Sequence, residues 1–398
     1  MSRPIRLAYV VTHPIQYQAP LLKKIAADPD IDLKVIFVSD ISVKGYQDRG
    51  FGQKVVWDIP LLEGYEHLFL RVVWGEGALT FWKPAVWGIK KELKSFQPDI
   101  IWVHGWVHWS LVRAIALGRA LGAKVAVRGE IGYHAENLGL LRRIAKNWFL
   151  SWLFSRVDYF LAIGSLNRDY YLSKGISDDR IEMMPYAVDN DYFRSQVQLR
   201  SKEAERLRKE LDIPKGAVVI LFAGKLTERK RAIMLFEAYN RLFRENGDRL
   251  ASEKYLVYVG DGEDRNRLEE KVSEAGLDTV RLVGFVNQKE LPLYYALGDI
   301  FVLPSDREPW GLAVNEAMAA GMPVVVSDEV GCAVDIVRDG INGYIFQAGD
   351  VDSLGSVLKH LGTRQELAEM GKRSMEIISR WSFNEDIDAI RALVGRVQ

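Results

Sequence analysis

A pattern of strand-length apolar runs, each followed by a helical stretch, passes along this chain once and then starts again. The first series opens with IRLAYVV (Ile5 to Val11), a THPIQYQAP loop, a helical pattern from Leu21 and a second run, LKVIFVS (Leu33 to Ser39). Further runs follow at DIIWVHG (Asp99 to Gly105), KVAVRGE (Lys124 to Glu130) and YFLAIGS (Tyr159 to Ser165). Near-continuous apolar runs separated by helices belong to parallel sheets covered on both faces. The second series comprises VVILFAG (Val218 to Gly224), KYLVYVGDG (Lys254 to Gly262), VRLVGFV (Val280 to Val286), DIFVLPS (Asp299 to Ser305) and MPVVVSD (Met322 to Asp328). The pattern predicts an α/β chain with two doubly wound, Rossmann-like domains in tandem.

Length agrees, because 398 residues exceed what one ordinary core organises. A charge-dense stretch, SQVQLRSKEAERLRKEL (Ser195 to Leu211), reads as one exposed amphipathic helix opening the second half. This places the domains at 1–190 and 191–375, with a terminal helical segment, 376–398, crossing back to the first. Lys plus Arg equal Asp plus Glu at 53 each, so no global field favours nucleic acid, and any basic site has to be local. One cysteine excludes an internal disulfide framework and a cysteine-built zinc site. With no apolar run near 18 residues, the expectation is a cytoplasmic protein.

In open parallel sheets, ligands bind beyond the carboxyl ends of the strands. The loop after the first run of the second half is AGKLTERKR, where Gly224 gives backbone room and Lys225, Arg229, Lys230 and Arg231 supply positive charge suited to phosphate. A solvated charged loop has the same composition, and both readings stand. Gly260 and Gly262 in VGDGED suit a tight turn or a close approach of backbone. Phe285 and Val286, in VGFVNQKEL, can floor a flat ring or simply fill the core.

The stretch SDREPWGLAVNEAMAAGMPVVVS (Ser305 to Ser327) carries Glu308 and Glu316 within an apolar setting. Ionised carboxylates are rarely buried without partners. If a helix begins after Gly311, the amides of Trp310, Gly311 and Leu312 can donate to an anion. Glu316, one turn on, can accept two hydrogen bonds from a vicinal diol such as ribose. A nucleoside diphosphate carrying a sugar fits the basic loop, the amides and both acids.

These residues closely resemble the nucleotide-binding signature of the family 4 retaining glycosyltransferases, which have the GT-B fold of two Rossmann-like domains facing across a cleft. The E-x7-E pair is Glu308 and Glu316. AGKLTERKR is similar to the family's G-R-L-x-x-x-K-G loop, and ISDDRIEMMPYAVDNDYF to its interdomain segment. The resemblance implies that Lys225 and Lys230 bind the donor diphosphate, Glu308 contacts the transferred sugar and Glu316 holds the ribose hydroxyls. Two positions depart from the pattern: Lys225 replaces the usual arginine, losing its bidentate fork, and Arg231 replaces a glycine.

The first half departs more. THPIQYQAP stands where most relatives carry a Gly-Gly loop, offering His13, Gln16 and Tyr17 on the acceptor side. KVAVRGEIGYH offers Arg128, Glu130 and His134 where many relatives place a histidine, and HGWVHW offers His104 and His108. His13 and His104, just beyond apolar runs, are the candidates for a catalytic part; a structural part is the alternative for each.

What the resemblance implies is a hexosyltransferase that uses a UDP-, GDP- or ADP-sugar, retains anomeric configuration, and has no obligatory metal or cofactor. Front-face attack is the expected route, with double displacement the alternative. The acceptor is a glycan or a lipid-linked molecule, in polysaccharide or glycoconjugate biosynthesis. Two rival readings remain: a nucleotide-sugar epimerase on the same fold, and a binding protein that has lost catalysis. LLRRIAKNWFLSWLFSRV (Leu140 to Val157) mixes basic and aromatic residues as an interfacial helix does, which suggests peripheral contact with the inner face of a membrane; packing on the first sheet is the alternative. Oligomeric state is not legible.

Overall fold

The computed structural model describes residues 3–48, 50–77, 79–130, 139–246 and 254–397. Two compact units emerge: residues 1–46, 59–185 and 383–398, and residues 47–58 and 186–382. The second unit thus begins a few residues earlier than the charge pattern implies and takes in a short early segment, 47–58. The terminal stretch grouped with the first unit begins at Phe383 rather than residue 376.

The first unit is built on a seven-stranded sheet in the order Ile181–Met183, Tyr159–Ala162, Lys124–Arg128, Ile100–His104, Ile5–Val11, Ile31–Phe37, Glu66–Phe69. Every pairing is parallel, in registers such as Tyr9 against Val35 and Trp102. Val, Ile and Leu fill these strands because both faces are covered; Leu7, Val10, Ile36, Val103 and Val125 are fully buried. The strand order reverses between Ile5–Val11 and Ile100–His104. At such a switch point the flanking loops diverge and leave a crevice.

The second unit has six parallel strands in the order Val280–Gly284, Lys254–Val259, Val218–Ala223, Ile300–Leu303, Val324–Ser327, Gly343–Phe346. Its switch point falls between Val218–Ala223 and Ile300–Leu303, the strands that lead into the basic loop and the Glu308 segment. Close packing at this edge needs glycine. A Cβ on Gly260, at φ +140°, would lie 1.8 Å from the Gly224 carbonyl oxygen.

The expected single helix over Ser195 to Leu211 is two, Asn190–Leu199 and Ser201–Glu210. Asp189 caps the first by accepting from the Tyr192 amide. The C-terminal helix Phe383–Gly395 packs in the first unit against Ala19–Ala26 and Ile181–Met183. It is pinned by a buried ion pair between Arg128 and Asp386 at 3.0 Å and by Arg391 with Asp28 at 2.9 Å.

Candidate donor and acceptor sites

The basic loop leaves Ala223 and folds into a single 3-10 turn, Glu228–Lys230. Arg231 ends that turn with φ +53°, a left-handed conformation that costs a non-glycine residue about 1 kcal/mol. Its guanidinium compensates by donating through Nε and Nη2 to Asp306 Oδ2, each at 2.5 Å. Arg231 thus holds a left-handed position of the kind that glycine favours. Arg229 and Lys230 both reach Glu308 Oε2, at 2.8 and 2.6 Å. Glu308 is 8% exposed and its main chain is fixed on both sides, its amide donating to Glu329 O and its carbonyl accepting from Gly331 N. The acid and the basic loop are thus one charged cluster.

Lys225 carries a partner that the sequence did not reveal. Its ammonium sits 2.8 and 2.9 Å from the two Asp48 oxygens and 4.9 Å from the centre of the Phe51 ring. Asp48 Oδ1 also accepts from the amides of Gly50 and Phe51, which bends this early segment back. Phe51 meets Phe285 edge-on at 4.9 Å, so Phe285 is half-buried beneath another aromatic ring, with Val286 beside it.

Gly311 takes φ +102°, and the helix Leu312–Ala319 follows. The Val314 amide donates back to Gly311 O at 2.8 Å, and the amides ahead of it, as at any helix start, have no acceptor within the helix. The Trp310 side chain has a structural part: it is buried against Trp381 and donates from Nε1 to Asn315 Oδ1 at 2.9 Å. Asn315 in turn donates to Tyr186 O, which ties the helix to the start of the unit. Glu316 is met by Tyr295, whose hydroxyl donates to Oε2 at 2.7 Å. Burial pushes the Glu316 carboxyl up to about 7, and the Tyr295 bond opposes that rise. Tyr295 lies 21 residues upstream, beyond the reach of motif spacing.

In the first unit the switch point gathers His13, His104, Tyr17 and Glu130. Gln18, which the sequence reading passed over, organises them: buried, it accepts from Tyr9 and approaches His104 Nδ1 at 3.0 Å. His104 Nε2 lies 3.9 Å from Glu130 Oε1, and the Tyr17 hydroxyl donates to the same oxygen at 3.2 Å. Burial first, and His104 second, hold His13 down to about 4. Burial also lowers His104, against the pull of Glu130. Both rings are therefore neutral near pH 7, suited to hydrogen bonding rather than to carrying charge. Gln16 is half-buried on the same loop.

Two acceptor-side expectations fall elsewhere. Arg128 is 1% exposed and points into the unit, donating to Met184 O, Pro185 O and Asp386. Its length and charge serve the C-terminal helix rather than a ligand. His134 lies outside the described residues. His108 is also structural, buried and accepting from the Ser110 amide as it caps the helix Trp109–Leu121.

Comparison with known proteins gives the family and the fold. The family model "Glycosyl transferases group 1" matches residues 203–374, and "Glycosyl transferase 4-like domain" matches residues 53–187. The chain belongs to the group 1 glycosyltransferases. An Arabidopsis thaliana relative, described as sulfoquinovosyl transferase, is 26% identical over 316 residues, covering 76% of this chain and 58% of its own. A Rhizobium meliloti lipopolysaccharide core biosynthesis glycosyltransferase is 32% identical over 193 residues, 47% of this chain and 53% of its own. The chain spans about half the length of the curated relatives it matches. Among solved structures, Anabaena HepE in complex with UDP and glucose aligns over 98% of this chain and 100% of that one, with a TM-score of 0.71 and 16% identity. That likeness gives the fold, a two-domain α/β GT-B architecture.

Proposed function

We propose that this chain transfers a sugar from a nucleoside-diphosphate sugar to an acceptor hydroxyl with retention of anomeric configuration, in glycoconjugate or polysaccharide biosynthesis. The observation that carries this reading is the second unit's switch point. It joins Arg229, Lys230 and Glu308 in one cluster, directly ahead of the helix whose next turn presents Glu316. The donor diphosphate rests on Lys225, Lys230 and the amides at Trp310, Gly311 and Leu312. Glu316 accepts from the ribose hydroxyls, and Phe285 with Val286 lies under the base. Glu308 faces the sugar. HepE has been crystallised with UDP-glucose, which supports a uridine donor ahead of GDP- or ADP-sugars.

The chemistry follows from where charge develops. As the bond between the anomeric carbon and the diphosphate oxygen breaks, negative charge builds on phosphate, where the lysines and amides stabilise it. The acceptor oxygen bonds to the anomeric carbon on the face the diphosphate leaves, and its proton passes to the departing phosphate oxygen. His13, His104, Tyr17 and Glu130 orient the acceptor. The test is incubation of the full chain with each donor and a panel of glycan acceptors, following product anomers by NMR. Transfer with the donor's anomeric configuration is expected. Inverted product contradicts the mechanism, and an epimerised sugar without transfer identifies an epimerase instead.

A further inference from the structure

Eleven of the seventeen large apolar side chains that stand exposed among the described residues lie between positions 73 and 148, all in the first unit. The helix Leu140–Phe154 holds part of this set. From Leu140 to Trp148 every side chain is exposed, and only its last turns, with Leu150, Leu153 and Phe154, enter the core. Leu141, Ile144 and Trp148 share one stripe by their spacing, yet are 82%, 56% and 72% exposed. Arg142, Arg143 and Lys146 flank that stripe, and no acidic residue occurs between Leu140 and Val157.

The other part surrounds the antiparallel pair Arg71–Trp74 and Ala85–Trp87. Trp74, Trp82 and Trp87 are 60%, 61% and 68% exposed. The Lys83 ammonium lies 4.5 Å from the Trp74 ring centre, and Trp82 packs on Trp109 at 5.5 Å. The Trp109 amide donates to Phe81 O, which fixes this segment to the start of the helix Trp109–Leu121. That helix and Leu140–Phe154 pack together, and each follows one parallel strand and precedes the next. Both therefore begin at the carboxyl edge of the sheet, the edge that carries His13, His104 and Glu130.

We infer that this face of the first unit docks on an anionic lipid surface, apolar side chains entering the headgroup boundary and the basic residues meeting lipid phosphate. An acid-free run of Arg and Lys beside exposed Trp, Leu and Ile is the composition that such a surface selects. A glycan platform needs aromatic rings with polar neighbours, whereas Leu141 and Ile144 offer a sugar nothing. Resting on the glycosyl-transfer reading, the placement adds that the acceptor is lipid-linked, presented from the membrane beside the acceptor-side histidines.

The test is co-sedimentation of the full chain with vesicles of equal parts phosphatidylglycerol and phosphatidylcholine, and of phosphatidylcholine alone, at low and high salt. UDP-sugar binding is measured in parallel. Binding to the anionic vesicles, weakened by salt, is expected. Joint Arg142→Glu, Arg143→Glu and Lys146→Glu substitution lowers it about tenfold or more while nucleotide-sugar binding is unchanged. Trp82→Ala with Ile144→Ser, in a second variant, lowers it without altering charge. No binding, equal binding to both vesicle types, or wild-type binding by both variants overturns the inference. A chain that binds vesicles but no nucleotide sugar contradicts the proposed function and leaves the docking surface standing.

Discussion

Glu316 shows how a residue can be legible in sequence while its setting is not. An acid in an apolar helix announces a partner, and the Tyr295 hydroxyl supplies one at 2.7 Å. A carboxyl held up to about 7 exchanges its proton near neutrality. A ribose diol donates best to the ionised form, so nucleotide-sugar affinity is expected to rise with pH up to about 7 and level off above it. The pH dependence of binding by calorimetry checks this, and Glu316→Gln is expected to flatten the profile. For folding the sign is opposite: between 4.5 and about 7 the native carboxyl keeps a proton that the unfolded one has lost, so this group lowers stability as pH rises through that window. Asp48 went unread because only its contact with Lys225 gives it meaning. A donor diphosphate has to draw Lys225 away from it, so Asp48→Asn is expected to tighten donor binding about threefold to tenfold, roughly one hydrogen bond's net worth. Weaker binding would make Asp48 a support of the lysine instead of its competitor.

Among the elements, the central strands were readable because burial on both faces leaves continuous apolar runs, and their observed ends differ from the runs by only a few residues. The edge strand Val280–Gly284 was readable too, but two other edge strands were not. Glu66–Phe69 is polar along half its length, and Gly343–Phe346 opens on glycine, so neither stands out from a loop. The break between Asn190–Leu199 and Ser201–Glu210 was hidden because neither glycine nor proline marks it. Arg128 misled for a related reason: it ends a buried strand at a ligand-binding edge, but its side chain turns back to the C-terminal helix. Removing one partner of a buried ion pair leaves the other uncompensated. Asp386→Ala is thus expected to destabilise the first unit by about 3 kcal/mol, read as a shifted denaturant midpoint. An unchanged midpoint would mean that the carbonyls of Met184 and Pro185 hold Arg128 by themselves.

At the scale of the whole molecule, a neutral chain with 53 basic and 53 acidic residues has to make its charged surfaces locally. The second unit does so where its strand order reverses, gathering Arg229, Lys230 and Glu308, while the first sets neutral histidines beside Glu130 at its own switch point. Among the described residues no helix is long and apolar enough to cross a membrane. The tandem architecture was readable from its repeated runs, and the proposed donor-side residues stood out because they occupy contiguous loops. The proposed acceptor side was read only in part, since Gln18 acts through contacts with two separate strands. The most direct measurement of the central claim is a thermal-shift and nucleotide-release panel of UDP-, GDP- and ADP-sugars, run on the full chain with Glu316→Ala and Glu308→Ala. At least one donor is expected to raise the melting temperature and release nucleotide slowly. Glu316→Ala should weaken that binding about tenfold or more, and Glu308→Ala should mainly depress turnover. No stabilisation by any donor, or equal loss of affinity in both variants, would contradict the account.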